Sequence, residues 1–348
     1  MGFSSNPPSY PHLPKAFRMR TIGGTHYERR SVFQNLIGTP YNVRETLGWA
    51  WRNVWGVRKS NPCEVEPLPH RSVMNPVQPS MKLCFIGDIM DMRGYQLAIA
   101  ADVKEFIQSC DFLIGNFEGT ITNAKKKLPT TQVHDLSILD SLAACFPPQR
   151  TVLSVANNHA GDFPTEIFQN SLRIIKEKGF HVVGLSETPF IDISSNVRVV
   201  AASMWSNQPF PDIVSLESLD QYVQPSIFNI AYLHWGYELE RFPRPDIVKE
   251  GKAILKHFDA LIGHHTHVPQ PVTIQKCDRH SKVLAFSLGD FCSGLKIKKY
   301  QFGILCTLEI GPGEHGIWQT GNVKWHYTKV TRSTDKTMTV TFTPEMPL

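Results

Sequence analysis

The sequence predicts an α/β protein. Its core spans residues 81–348, with sheets packed together and helices outside, behind a proline-rich, basic N-terminal extension over residues 1–80. Three observations carry this. From Met81 onward, apolar strand-like runs alternate with segments of helical spacing. The last ~70 residues are strand-rich with little helix. The first 80 residues hold ten of the 25 prolines and ten Lys/Arg against four Asp/Glu.

Taken in order, "RETLGWAWRNVWGVRK" (Arg44–Lys59) has the spacing of a short amphipathic helix, with Leu47, Trp51, Val54, Trp55 and Arg58 on one stripe. Its tryptophans are expected to pack on the main domain; a partner protein or a membrane surface is the alternative. "NPCEVEPLPHRSVMNPVQPS" reads as an extended linker. "MKLCFIGD" is a buried strand ending in Gly87-Asp88, and "GYQLAIAADVKEFIQSC" has helical spacing. "DFLIGNFEG" and "RTVLSVANNH" are strands. "PTEIFQNSLRIIKEKG" is a helix with Thr165 as N-cap and Gly179 just past its end. "FHVVGLS", "VRVVAASMW" and "FNIAYLHWG" are strands. "RPDIVKEGKAILKHF" is a helix with the stripe Ile247, Gly251, Ile254, Leu255 and Phe258. Strands follow in "DALIGHH", "KVLAFSLGDF", "FGILCTLEI", "NVKWHYTKV" and "MTVTFTP".

Composition narrows the function classes. The chain has 348 residues, 41% hydrophobic and 19% charged, enough for a sizeable core. No run approaches the ~18 apolar residues of a membrane span. "MGFSSNPPSYPHLPKAF" has no apolar h-region, so no secretory signal is expected, and Asn6 stands where a myristoylation motif wants Ser or Thr. Residues 81–348 hold 26 Lys/Arg against 27 Asp/Glu, so nucleic-acid binding is not expected of the main domain. The seven scattered cysteines, without a C-x-x-C pair, predict reduced thiols and a cytoplasmic protein.

Five apolar strands end in polar clusters: Gly87-Asp88; "GNFEG" with Asn116 and Glu118; "ANNHAGD" with Asn157, Asn158, His159 and Asp162; "HWG" with His234; and "GHHTH" with His264, His265 and His267. Ligands bind beyond the carboxyl ends of strands in open α/β sheets, so five such ends point to one site. Carboxylate, amide oxygen and imidazole suit a divalent metal such as Mn, Fe, Zn, Mg or Ca. No cysteine joins the clusters, which argues against structural zinc. Each cluster alone has a plainer reading, as a turn, a cap or a core histidine; the ordered set points to metal.

Gly-Asp, Asn-x-Glu-Gly, "ANNH", "HWG", His-x-His-Val-x-Gln and Ser-Leu-Gly-Asp-Phe together resemble the CapA/PgsA-like branch of the calcineurin-like metallophosphoesterases, from about Met81 to Val330. The resemblance implies a four-layer αββα metallophosphoesterase-like sandwich with a site for one or two metal ions at one edge of the sheets. It implies Asp88, Glu118, Asn158, His234, His265 and His267 as metal ligands, with Asn116 beside Glu118 and His264 as a variable position. It implies His159 as an acid or an electrostatic partner at the leaving oxygen; Asp162, three residues later, is placed to orient it or else to cap the next helix. Asn157, His264, Asp91 and Asp290 are candidate supporting residues. The sequence departs from the broader superfamily at Met90, where a ligand histidine is usual; Asp91 is the candidate to compensate. Asp290 stands where the family commonly has Asn. Arg241 and Arg244 are the nearest candidates for binding a phosphate.

The resulting expectation is a metal-dependent hydrolase of a phosphoester or a related peptide or polyglutamate substrate. A metal-dependent acid/base enzyme such as a peptide epimerase is the second reading. A non-catalytic subunit of poly-γ-glutamate or capsule synthesis is the third.

Overall fold

Apolar runs from Met81 onward become strands of two facing sheets in the computed structural model. The structure describes residue 34 and residues 37–126, 128–208, 212–277 and 280–346. The first 33 residues, with Asn6 and the basic Lys15, Arg18, Arg20, Arg29 and Arg30, lie outside the described residues. The chain runs α1 (Val43–Trp55), β1 (Arg71–Val73), β2 (Met81–Ile89), β3 (Gln96–Ile99), α2 (Ala101–Gln108), β4 (Phe112–Phe117), β5 (Thr120–Ile121), β6 (Val133–His134), α3 (Ser137–Cys145), β7 (Thr151–Ser154), α4 (Thr165–Glu177), β8 (His181–Val183) and β9 (Phe190–Ser194). It continues with β10 (Val197–Ser203), β11 (Phe228–His234), α5 (Pro245–Ile254), β12 (Ala260–His264), β13 (Val272–Lys276), β14 (Ser281–Ala285), β15 (Asp290–Cys292), β16 (Phe302–Pro312), β17 (Trp318–Arg332) and β18 (Thr337–Thr343).

The first sheet has the order β3-β18-β17-β16-β2-β4-β7-β8, with β1 joined to β17 and β15 to β2; the second is β13-β14-β12-β11-β10-β9. Alternation along β2 sets the layers. Leu83 and Phe85 point between the sheets, where they share a core with Ile114, Val199, Ile230, Tyr232 and Ile262. Cys84 and Ile86 point to the other face, covered by α2, α3 and α4 through Val103, Leu139 and Leu172. The outer face of the second sheet is covered by α5, through Ile247 and Ile254, with Leu255 and Phe258 just beyond. Each such side chain contributes about 1.5–3 kcal/mol on full burial. The result is the four-layer αββα sandwich that the motifs imply. Near its edge, the Tyr232 hydroxyl donates to the Ile86 carbonyl at 2.6 Å and ties the sheets together.

Several elements differ from expectation. The first half of "GYQLAIAADVKEFIQSC" is a strand, because Gln96–Ile99 pair in parallel with β18; the helix begins only at Ala101. Pro164, not Thr165, precedes α4, and no side chain caps it. Gly179 follows its end with φ +90°, as the sequence suggests. Helix α3, in "SILDSLAAC", was not read from the sequence. The proline-rich stretch before Met81 is extended but anchored: β1 pairs with β17, and Leu68 N–H donates to Val272 at 2.7 Å.

Helix α1 forms as expected, capped by Asn42, which accepts from Glu45 N–H. Its orientation overturns the expectation that its tryptophan stripe packs on the domain. Leu47, Trp51, Val54 and Trp55 are 65–73% exposed. The opposite face buries Arg52, and a buried guanidinium needs fixed acceptors. Arg52 Nε donates to Glu238 O at 2.7 Å, and its Nη2 to Glu45 at 2.7 Å. Of the helix tryptophans, Trp49 faces inward and donates to Glu238 Oε2 at 2.5 Å. All seven cysteines are free, five of them buried. No helix among the described residues is long and apolar enough to cross a membrane.

Candidate metal centre

Parallel pairing gathers the strand ends named above at one edge of the sandwich. Asp88 on β2 lies in register with Asn116 on β4 and with Asp290 on β15. Across the gap, His234 on β11 lies in register with His264 on β12. Glu118 follows β4, Asn157, Asn158 and His159 follow β7, and His265 and His267 follow β12. All of these residues are buried. Gly87 permits the closest approach: a Cβ there would lie 1.8 Å from the Gly289 carbonyl oxygen, the atom that accepts Asp88 N–H at 2.9 Å.

Asp88 is the hub. Its Oδ1 accepts from Asn116 Nδ2 at 2.7 Å and meets His264 Nδ1 at 3.0 Å, while Oδ2 accepts the backbone N–H of His265 at 2.9 Å. His234 bridges Asn158 Oδ1 (2.8 Å) and His264 Nδ1 (3.0 Å). His267 Nδ1 lies 2.9 Å from Asp290 Oδ1 and 3.6 Å from Asp88 Oδ2. Glu118 Oε1 sits between His159 Nε2 at 3.6 Å and His267 Nε2 at 3.9 Å. His159 Nδ1 contacts Asp162 Oδ2 at 2.7 Å, and that oxygen also accepts Gln132 N–H. Asp162 therefore faces His159 and does not cap α4. Asn157 donates to the Phe117 carbonyl at 3.0 Å and accepts His159 N–H at 3.1 Å, fixing the turn. His265 and His267 adopt φ of +94° and +57°, strained conformations for non-glycine residues and frequent at functional sites.

Charge is heavily perturbed here. Burial raises Asp88, but its hydrogen bond with His264 and the neighbouring imidazole charges prevail and hold it at about 2. Burial, then the Asp88 charge, pushes Glu118 well above the carboxylate range. Burial, then adjacent imidazoles, holds His234 and His265 well below their ordinary range. Burial opposes charge on His267, but Asp290 and Glu118 outweigh it and raise His267. Burial lifts Asp290 to about 7 against the pull of His267.

Whether a metal fits is decided by the atoms left over. Both Glu118 oxygens, Asp290 Oδ2, His264 Nε2 and His265 Nδ1 are buried with no hydrogen-bond partner. Such a group costs about 1–3 kcal/mol, and more when charged. Two trios, Asp88–His234–His264 and Asp88–His267–Asp290, hold one ligand atom from each residue within 4.8 Å of one another. Carboxylate and imidazole donors of this kind suit a divalent cation, which neutralises the buried charge. The residues present fit the group. The trios draw in His264 and Asp290, read as variable and supporting from sequence.

A cavity of about 290 Å³ opens onto His159, His267, Asn158 and Met90, walled on the other side by Tyr41 and Trp49. Asp91 does not fill in for the missing histidine at Met90. Its carboxylate pairs with Lys126 and accepts Arg93 N–H, turned from the cluster. Arg244 is engaged by Glu45 and Glu240 and lies over the Tyr237 ring, 3.6 Å from its centroid. Neither Arg244 nor Arg241 lines the cavity; Arg93 does. Sequence reading missed Asn207, whose Oδ1 accepts from Asn158 and whose Nδ2 lies 3.3 Å from His159 Nδ1. Asn207 follows strand β10, so the polar-strand-end pattern already applied elsewhere points to it. His134 donates through Nε2 to the Glu118 carbonyl at 2.9 Å; burial lowers its pKa to about 4.

The sequence matches the family bacterial capsule synthesis protein PGA_cap over residues 82–191 and 217–295. This chain belongs to the PGA_cap family. It is 24% identical over 265 residues to "Capsule biosynthesis protein CapA" of Bacillus anthracis, covering 65% of this chain and 62% of that protein. It is 22% identical over 239 residues to "PGA biosynthesis protein CapA" of Bacillus subtilis (strain 168), covering 60% and 62% respectively. The PGA_cap chain thus spans about three fifths of the length of the curated relatives it matches. Among solved structures it resembles a hypothetical protein from Thermus thermophilus at 15% identity and TM-score 0.40, covering 76% of this chain and 100% of that one. It also resembles the calcineurin-like phosphoesterase YfkN from Bacillus subtilis at 13% identity and TM-score 0.38, covering 74% and 95%.

Proposed function

We propose that the chain is a metal-dependent hydrolase acting on a phosphoester, or on a related bond in a peptide or polyglutamate, in the cavity beside His159. The observation that carries this reading is the His159 pair: Asp162 takes Nδ1 at 2.7 Å, and Nε2 is left toward Glu118 and the cavity. Asp88, Glu118, Asn158, His234, His265 and His267 would hold the metal, with His264 and Asp290 close enough to join. When bound, a divalent cation supplies Lewis acidity toward a phosphoryl or acyl oxygen and acidifies water. Asp162 sets the orientation of the His159 ring, so that Nε2 carries the mobile proton. His159 delivers that proton to the leaving oxygen of a phosphoester, or to the leaving nitrogen of a peptide bond, a role worth ~10²–10⁴-fold in rate. The names of the relatives, which refer to capsule and PGA biosynthesis, support a polymer or peptide substrate.

The test is hydrolysis of an unactivated alkyl phosphodiester and monoester, whose leaving alkoxide needs the proton, by the Mn²⁺-loaded protein. His159→Ala is expected to lose ~10²–10⁴-fold in kcat while retaining its Mn²⁺. Absence of hydrolysis by a metal-loaded wild type, on these esters and on poly-γ-glutamate, would remove the reading.

One observation favours a second reading, acid/base chemistry at a peptide α-carbon. Among the described residues lining the cavity, Arg93 is the one Lys or Arg, a thin clamp for a phosphate dianion. Deuterium uptake from D₂O into a peptide without cleavage identifies this case.

A further inference from the structure

The described residues before Met81 lie outside the family-matched region, yet they reach the metal centre. Tyr41 is 2% exposed and packs edge-on against Trp205, with ring centroids 5.1 Å apart. Its hydroxyl lies 2.9 Å from His265 Nε2 and donates to Glu238 Oε1 at 3.3 Å. The same segment grips Glu238 at three further points: Trp49 Nε1 on Oε2, Arg52 Nε on the carbonyl, and the Tyr41 oxygen, which accepts the Glu238 backbone N–H at 3.4 Å.

Proton counting fixes the imidazole. Tyr41 has one hydroxyl proton, and Glu238 takes it. The Tyr41 oxygen is then an acceptor for His265 Nε2–H. The opposite tautomer would put the proton on Nδ1, which is buried and has no acceptor. With the proton on Nε2, Nδ1 keeps a free lone pair. Partners that orient a ligand histidine in this way are typically worth 10–100-fold in metal affinity.

We infer that Tyr41 is a positioning residue of the metal centre: with Glu238 it holds His265 as the Nε2–H tautomer and leaves Nδ1 available to a divalent cation. The N-terminal segment is thereby part of the site that the family-matched domain otherwise builds. This rests on the metal-centre reading above.

The experiment pairs two measurements on the full chain. In metal-free protein labelled with ¹⁵N-histidine, long-range ¹H–¹⁵N correlations report the His265 tautomer, assigned through His265→Gln. In parallel, calorimetric titration with Mn²⁺ compares wild type with Tyr41→Phe, whose melting is checked first. The expected result is Nε2–H in wild type, together with Mn²⁺ binding about 10–100-fold weaker in Tyr41→Phe. An Nδ1–H tautomer, or a Tyr41→Phe affinity within about twofold of wild type, overturns the inference. If Tyr41→Phe does not fold, the wild-type tautomer decides alone. If wild type itself binds no Mn²⁺, the proposed function falls, while the tautomer still decides whether the relay exists.

Discussion

Glu118 offers a prediction in which one substitution changes sign with the conditions. Both carboxylate oxygens are buried without a hydrogen-bond partner, and the nearest polar atoms are imidazole nitrogens at 3.6 and 3.9 Å. In metal-free protein burial disfavours the charged form of this carboxyl, and its unpaired oxygens cost roughly 1–3 kcal/mol. Glu118→Gln keeps the volume, replaces a carboxyl that burial disfavours in its charged form by a neutral amide, and leaves the amide oxygen to accept from His159 and His267. It should therefore stabilise the metal-free protein by ~2 kcal/mol, a few degrees in Tm for a chain of this size. With Mn²⁺ at a hundred times its Kd, wild type gains about 3 kcal/mol by mass action. Glu118→Gln, lacking the anionic ligand, should gain far less, and the order of stability reverses. Differential scanning calorimetry in EDTA and in Mn²⁺ measures both arms. A variant less stable than wild type in EDTA, or one that keeps the full Mn²⁺ shift, refutes the reasoning that the unpaired Glu118 carboxyl is kept there for a cation.

Asp88 predicts an acid limb. Its folded pKa, about 2, lies below the ordinary 3.8, so its stabilisation is complete above pH about 4 and is lost as pH falls through 2. Denaturant titrations of metal-free wild type should lose ~2 kcal/mol across that window, and Asp88→Asn should lack this component; identical profiles would contradict it. Gly87→Ala places a Cβ 1.8 Å from the Gly289 carbonyl and should push β15 from β2. The expected cost is at least 1–3 kcal/mol, with weaker Mn²⁺ binding because Asp88 and Asp290 part, both read by titration. The outward face of α1 predicts that Trp51→Phe with Trp55→Phe removes most acrylamide-quenchable tryptophan emission, since Trp205, Trp235 and Trp325 are at most 3% exposed and Trp49 and Trp318 are partly buried. Unchanged quenching would mean that the face is covered.

Most of the site was legible in the sequence because strand ends announce themselves. An apolar run that stops at Asp88, Glu118, His159, His234 or His267 marks both the strand and the place where its end points, and parallel pairing does the rest. Contact between the sheets is what the pattern left out. The nearness of His264 to Asp88 and of Asp290 to His267 comes from two sheets that face each other, built from strands far apart in sequence, so "GHHTH" alone does not say which imidazoles meet which carboxylate. Asp91 and Arg244 illustrate the converse: each has suitable chemistry and position in the sequence, yet Lys126 claims one and Glu45 with Glu240 the other. Periodicity found helix α1 but not its rotation, because a buried Arg52 with fixed acceptors outweighs the burial of Trp51 and Trp55. Tyr41 had no local signal at all; its role depends on a contact with His265, 224 positions away.

The central claim is that the buried acid–imidazole cluster binds a divalent cation. Crystals grown with Mn²⁺ and measured for anomalous scattering test it most directly. The account predicts an anomalous peak within bonding distance of Asp88, shared with Glu118, His234, His265 or His267. A map with no peak at Asp88, at a Mn²⁺ concentration that occupies sites elsewhere on the protein, would contradict it.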